Sequence, residues 1–124
     1  MTLPVLGLIL LSITLSAIAQ VLFKVGMSSA GVKQALAGGS PLDAALAVFL
    51  SAGVLGGLSL YGIGTVLWLG VLSKTEVSLA YPFVGLGFVF TALIGWLLFG
   101  ESLTLMRIAG IALIIAGIVV ISRG

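Results

Sequence analysis

Cysteine and histidine are both missing from this sequence, and its 124 residues carry only five basic and three acidic side chains. Without cysteine there is neither a disulfide framework nor a thiolate zinc site. Without histidine the commonest general base and metal ligand is gone. Charged residues make up 6% of the chain, against about 25% in an average soluble domain. Eight charges cannot cover a water-exposed globule of this length. A disordered chain is excluded too, because disorder needs low hydrophobicity and 61% of these residues are apolar. The net charge of +2 is too small to argue for a nucleic-acid partner. What remains is an integral membrane protein, with the lipid bilayer as its first partner.

The charges stand at Lys24, Lys33, Asp43, Lys74, Glu76, Glu101, Arg107 and Arg123. A helix needs about 20 apolar residues to cross a ~30 Å hydrocarbon core. The charge-free runs 1–23, 44–73 and 77–100 meet that length. Leu103 to Ile121 meets it if Arg107 snorkels to the headgroups. No run alternates with the period of a barrel strand. The sequence therefore predicts an all-α membrane protein, a single domain over residues 1–124 with helices at about 3–25, 42–72, 76–99 and 103–122. Ala17-Ile18-Ala19 before Gln20 resembles a signal-peptidase site, but no basic stretch precedes it, so the first run reads as a span.

The turns are legible. Ser40, Pro41 and Asp43 form an N-cap, first-turn proline and capping-box pattern after Gly38-Gly39. Ser73-Lys74-Thr75-Glu76 and Gly100-Glu101-Ser102 are tight polar turns, and residues 28–40 read as a loop, with a short interfacial helix as the other reading. A continuous helix from Pro41 to Leu72 would be about 48 Å long. Either its first turns stand outside the membrane or it bends near Gly53 or Gly56-Gly57. Lys24, Lys33 and Arg107 fall on one side, Lys74 and Arg123 on the other. This bias sets orientation weakly and leaves room for two copies inserted in opposite senses.

No catalytic group, metal site or cofactor motif emerges. The three acids lie at run ends, so none is expected at the bilayer midplane. Ser12, Ser16, Gln20 and Lys24 recur at i+4 and form one polar strip on the first helix. Small hydroxyls suit helix packing, whereas Gln20 is costlier to hide and points to a cavity or partner. Lys24 either snorkels or binds an anion. Tyr61, Thr65 and Trp68 share a face that packing and interfacial anchoring explain, with a cavity wall as the other reading. Ser78, Tyr81, Pro82 and Gly85 share a face of the third helix. Pro82 removes a backbone donor, and Gly85 and Gly87 permit bending, so a kink there is either passive or lines a site. Gly110 and Gly117, with Ala109, Ala112 and Ala116, form a small-residue face on the last helix, a packing surface inside one protomer or between two. Glu101 supports the helix ends or pairs with Arg107.

Phe99-Gly100-Glu101-Ser102-Leu103-Thr104, followed by Gly110-Ile111-Ala112-Leu113-Ile114-Ile115-Ala116-Gly117, resembles the end of an EamA-type domain of the drug/metabolite transporter superfamily. Four helices in this length match its small multidrug resistance branch. Leu67-Trp68-Leu69, Val71-Leu72, Val77 and Ala80-Tyr81-Pro82, with Gln20 and Lys24, are most similar to the small flippase subunits for undecaprenyl-phosphate-linked aminoarabinose. The likeness spans the chain except residues 28–45. The multidrug branch carries a glutamate in mid-helix 1 as its proton and drug site; counted back from Lys24, that position is Ser16 here.

The resemblance implies a transporter in the bacterial inner membrane rather than an enzyme. It would be a flippase for a lipid-linked sugar phosphate, working as a homodimer or as a heterodimer with a related four-helix subunit. Its groove would be lined by Ser16, Gln20, Lys24, Ser78 and Tyr81, and its dimer interface would involve Gly110 and Gly117. The other readings are an exporter of small molecules and a non-transporting accessory subunit.

Overall fold

Several helices in this chain start where a short hydroxyl side chain accepts from a free backbone N–H group. The computed structural model describes residues 2–124. Helix α1 (Leu3–Met27) begins after Thr2, whose hydroxyl accepts from the Val5 N–H at 3.4 Å, and Pro4 occupies its first turn. Ser29 caps α2 (Ala30–Ala37) by accepting from Val32 N–H. Ser40 caps α3 (Pro41–Phe49) by accepting from Asp43 N–H at 3.5 Å. Helix α4 (Ala52–Leu72) follows Ser51. The third span is built from α5 (Val77–Ala80), one 3-10 turn (Tyr81–Phe83) and α6 (Val84–Phe99). Thr104 caps α7 (Leu105–Ser122), accepting from the Arg107 N–H at 3.2 Å.

Four helical segments are long and apolar enough to cross a membrane: Leu3–Met27, Ala52–Leu72, Val77–Phe99 and Leu105–Ser122. The described residues contain no strand. The protein is a multi-pass, all-helical integral membrane protein. Two details differ from the sequence reading. Residues 28–40 hold the short helix α2 rather than only a loop. The long second segment breaks at Leu50–Ser51, upstream of the glycines expected to bend it, because Ser51 takes an extended conformation (ψ 132°) and starts a new helix.

Those glycines serve a different purpose. A Cβ on Gly53 would lie 2.7 Å from the Gly26 nitrogen and 2.8 Å from the Leu22 carbonyl oxygen. A Cβ on Gly57 would meet the Phe23 ring at 2.6 Å. Backbones of α1 and α4 therefore touch directly, which is how helices gain contact in lipid, where no hydrophobic force drives them together. Further along, Ser12 donates its hydroxyl to the Gly64 carbonyl oxygen at 2.7 Å, and both residues are buried. The apolar core lies toward the opposite end of the bundle: Val5, Ile9 and Ile13 of α1 pack with Val71 of α4, Ala80, Phe83 and Ile118 of α7. Helix α7 is the peripheral member, packed chiefly on α6.

Gly53→Ala is expected to destabilise the protein by about 1–3 kcal/mol, the usual cost of overpacking. Gly7→Ala, where a Cβ meets nothing within 4 Å, should leave stability within about 0.5 kcal/mol. Unfolding in mixed micelles with increasing SDS measures both. Equal stability of the two variants would show that the α1–α4 approach is looser than described.

Candidate transport groove

Between the glycine contacts and the apolar core, α1, α4 and α6 enclose an open groove of about 620 Å³. That volume falls within the ~300–1,000 Å³ typical of small-molecule sites. Ser12, Ser16 and Gln20 line it from α1, Tyr61, Thr65 and Trp68 from α4, and Thr91 from α6. Its core-side end is closed by Trp68 and Tyr81, whose rings meet edge to face at 6.4 Å between centroids. The wall is thus amphipathic, with hydroxyl, amide and aromatic surfaces inside a bundle whose outer face is aliphatic.

The hydroxyls are held by their own helices. Thr65 donates to the Tyr61 carbonyl oxygen at 2.9 Å and Thr91 to that of Phe88 at 3.0 Å. Their remaining lone pairs can accept from a guest. Gln20 and Thr91 also border a second, smaller cavity of about 170 Å³, together with Lys24, Gly95 and Glu101. The two cavities share these two residues as lining, so polar side chains extend from mid-bundle to a charged cavity beside the α6–α7 turn.

That turn places the carboxylate. Gly100 adopts a left-handed conformation (φ 65°) that a side chain would strain. The N–H of Glu101 reaches back to the Gly95 carbonyl oxygen at 3.2 Å. The Glu101 side chain lies over Gly95, where an added Cβ would collide with its carboxylate oxygen. Arg107 does not pair with this acid. Its Nη1–H donates to the Ser102 carbonyl oxygen at 2.6 Å and closes the turn instead.

Of the residues singled out from sequence, Ser16, Gln20 and Tyr81 line the large groove, while Gln20 and Lys24 line the charged mouth. Ser78 is exposed on α5 and borders neither cavity. Pro82 sits in the 3-10 turn that separates α5 from α6. Gly85 is buried against Ile114 and Ile118 of α7, and Gly87 borders the groove beside Ile13. Gly110 and Gly117 face away from the bundle: an added Cβ at either meets nothing within 4 Å. Two polar lining residues escaped the sequence reading, Thr91 of the groove and Glu101 of the smaller cavity. Thr91 was findable as the lone hydroxyl within Val84–Phe99. Glu101 was not, because only the fold brings the α6–α7 turn beside α1.

Comparison with known proteins adds the lineage. Residues 34–123 match the EamA-like transporter family. An uncharacterized protein, y4nH, of Sinorhizobium fredii is 40% identical over 86 residues, covering 68% of this chain and 74% of that protein. A protein of Pseudomonas fluorescens described as a probable 4-amino-4-deoxy-L-arabinose-phosphoundecaprenol flippase subunit, ArnE, is 42% identical over 62 residues, 50% of this chain and 54% of its own. Its Klebsiella pneumoniae counterpart is 42% identical over 60 residues, 48% and 54% of the two chains. The match thus spans about half the length of these flippase-subunit relatives. No solved structure matches the chain.

Ser12→Ala removes the buried α1–α4 hydrogen bond and is expected to cost about 0.6–2 kcal/mol. Ser16→Ala, which only changes the groove wall, should leave stability nearly unaltered. The SDS unfolding midpoints of the two variants check this, and a larger loss for Ser16 would assign that residue to packing.

Proposed function

The chain belongs to the EamA-like transporter family, and from that premise we propose that it moves a lipid-linked sugar phosphate between the leaflets of a bacterial inner membrane. The observation that carries the reading is the polar groove in an otherwise apolar bundle, bordered at Gln20 and Thr91 by a second cavity that holds Lys24. A polyprenyl tail needs no protein path, since it stays in hydrocarbon. The phosphate and sugar do need one, because desolvating a charge in lipid is prohibitive. Lysine offers a phosphate one point charge and three donors. Ser16, Gln20 and Thr91 offer hydrogen bonds to sugar hydroxyls without binding them too firmly to leave. The flippase-subunit relatives support this choice of substrate class.

The groove is open along its length, so one protomer encloses a headgroup poorly. The functional unit in this reading is a dimer, of two copies or of one copy with a related four-helix subunit. Related repeats enclose the central site in larger transporters in this way. The outward-facing Gly110 and Gly117 of α7 would supply the contact. An exporter of small cations is the second reading, favoured by Tyr61, Trp68, Tyr81 and Phe88 on the groove wall, since aromatic faces attract cations. No carboxylate or histidine lines the large groove, so neither reading gives it a proton-exchanging acid at its centre.

Three outcomes are expected. Lys24→Gln should insert and assemble normally yet retain about tenfold less polyprenyl phosphate in native mass spectrometry, the loss due to one charge-assisted hydrogen bond worth about 1.5–3 kcal/mol. Lys24→Arg should keep part of the binding, and full retention by Lys24→Gln would move the headgroup site away from α1. Collapsing the pH gradient across proteoliposomes should leave headgroup translocation unchanged; a proton requirement abolished by Glu101→Gln would overturn that expectation. Gly110→Leu and Gly117→Leu should lower the dimer fraction without disturbing the protomer, and an unchanged oligomer size would place the interface elsewhere.

A further inference from the structure

Helix α3 turns its large side chains away from the protein. Leu42, Leu46, Phe49 and Leu50 stand at i, i+4, i+7 and i+8, one side of a helix. All four are exposed, Phe49 by 58% and Leu50 by 72%. The half-buried positions are the smaller Ala44, Ala47 and Val48 on the opposite side. A helix docked on a protein in water shows the reverse arrangement, so this outer face is built for an apolar surrounding.

Its height in the bilayer follows from α4. That helix has 21 residues, about 31 Å at 1.5 Å per residue, enough to fill a ~30 Å core alone. Gly53, in its first turn, lies against Gly26 in the last turn of α1, just past Lys24. The start of α4 is therefore level with the point where α1 emits a charge toward the headgroups. The α3 segment enters α4 from that level. With nine residues, α3 is about 13 Å long, too short for a crossing of its own. Lys24 and the exposed Lys33 of α2 stand near the same level and suit an anionic lipid surface.

We infer that α3 lies in the plane of one leaflet as an interfacial anchor, with Leu42, Leu46, Phe49 and Leu50 dipping into the lipid. Such helices seat their apolar face about 5–10 Å into the headgroup boundary. The occupant of this face is lipid, because α3 leads directly into α4, a helix long and apolar enough to cross a membrane, whose Leu55 and Leu58 near its start are also exposed. Helix α2 packs on α3, buries Val32 and leaves Lys33 exposed, toward the aqueous side in this reading.

The absence of cysteine makes the test clean. Single variants Phe49→Cys, Leu46→Cys and Lys33→Cys, each labelled with a nitrobenzoxadiazole fluorophore, are reconstituted in vesicles of phosphatidylcholine and phosphatidylglycerol. Labels at 49 and 46 should emit at shorter wavelength and be quenched several-fold more by a lipid carrying a nitroxide near its headgroup than by aqueous iodide. The label at 33 should show the opposite order. Iodide quenching at 49 equal to that at 33 would place α3 in water and overturn the inference. Strongest quenching by a nitroxide near the acyl-chain end would make α3 a deep segment, and overturns it equally. Shielding from both quenchers, together with a 49-to-49 disulfide between copies, would assign the face to a second copy. If Phe49→Cys fails to insert, Leu46→Cys delivers the same readout.

Discussion

The direct backbone contact between α1 and α4 is the constraint on which the rest of this structure depends. Lipid gives helices no hydrophobic reason to associate, so contact must come from close packing and shared hydrogen bonds. Gly26, Gly53 and Gly57 bring two backbones together at one end, and the Ser12 hydroxyl ties them near the middle. With these two helices joined so closely, α6 cannot lie in the seam between them along its whole length. It packs on the core formed by Val5, Ile9, Ile13 and Phe83 at the other end, and space opens between the three. The groove results from where the small residues are and where the large ones are.

The same arrangement explains why polar residues gather on one strip of α1. Ser12, Ser16, Gln20 and Lys24 are four residues apart, but their surroundings change along the helix. Ser12 falls inside the α1–α4 seam and spends its hydroxyl on a backbone carbonyl. Ser16 and Gln20 pass beyond the seam and meet the groove. Lys24 emerges where the small cavity holds Glu101. One sequence pattern thus carries a packing residue, two lining residues and a charged mouth.

Much of this was legible in the sequence. The spans could be read because charges mark their ends and lipid permits few alternatives to a helix. The polar strip on α1 could be read because a four-residue spacing survives any arrangement of neighbours. The break at Leu50–Ser51 could not, since Leu50 and Ser51 are both compatible with continuing a helix and the stop depends on packing between Gly53 and Gly26. Helix α2 was hidden for a related reason: Ala30–Ala37 is short and mixed in polarity, and its packing on α3 cannot be read from its own residues. Of the two roles read for Glu101, the pairing with Arg107 did not form, since Arg107 donates to the Ser102 carbonyl in the turn. Glu101 was left to face a helix almost eighty positions away.

The 3-10 turn at Tyr81–Phe83 has a mechanical consequence. Helices α1 and α4 are fastened at two heights and so behave as one rigid wall. Helix α6 is attached to that wall at its core end, beside a turn where Pro82 has no N–H to donate. Any bend at that turn would make α6 a lever with the turn as its fulcrum. Its 16 residues make an arm of about 24 Å at 1.5 Å per residue, so a rotation of about ten degrees carries Phe99 through about 4 Å. The displacement grows steadily from Gly87 through Thr91 to Gly95. In such a rotation the aromatic end of the groove would move least and the charged mouth most, so aperture there would change without repacking the core.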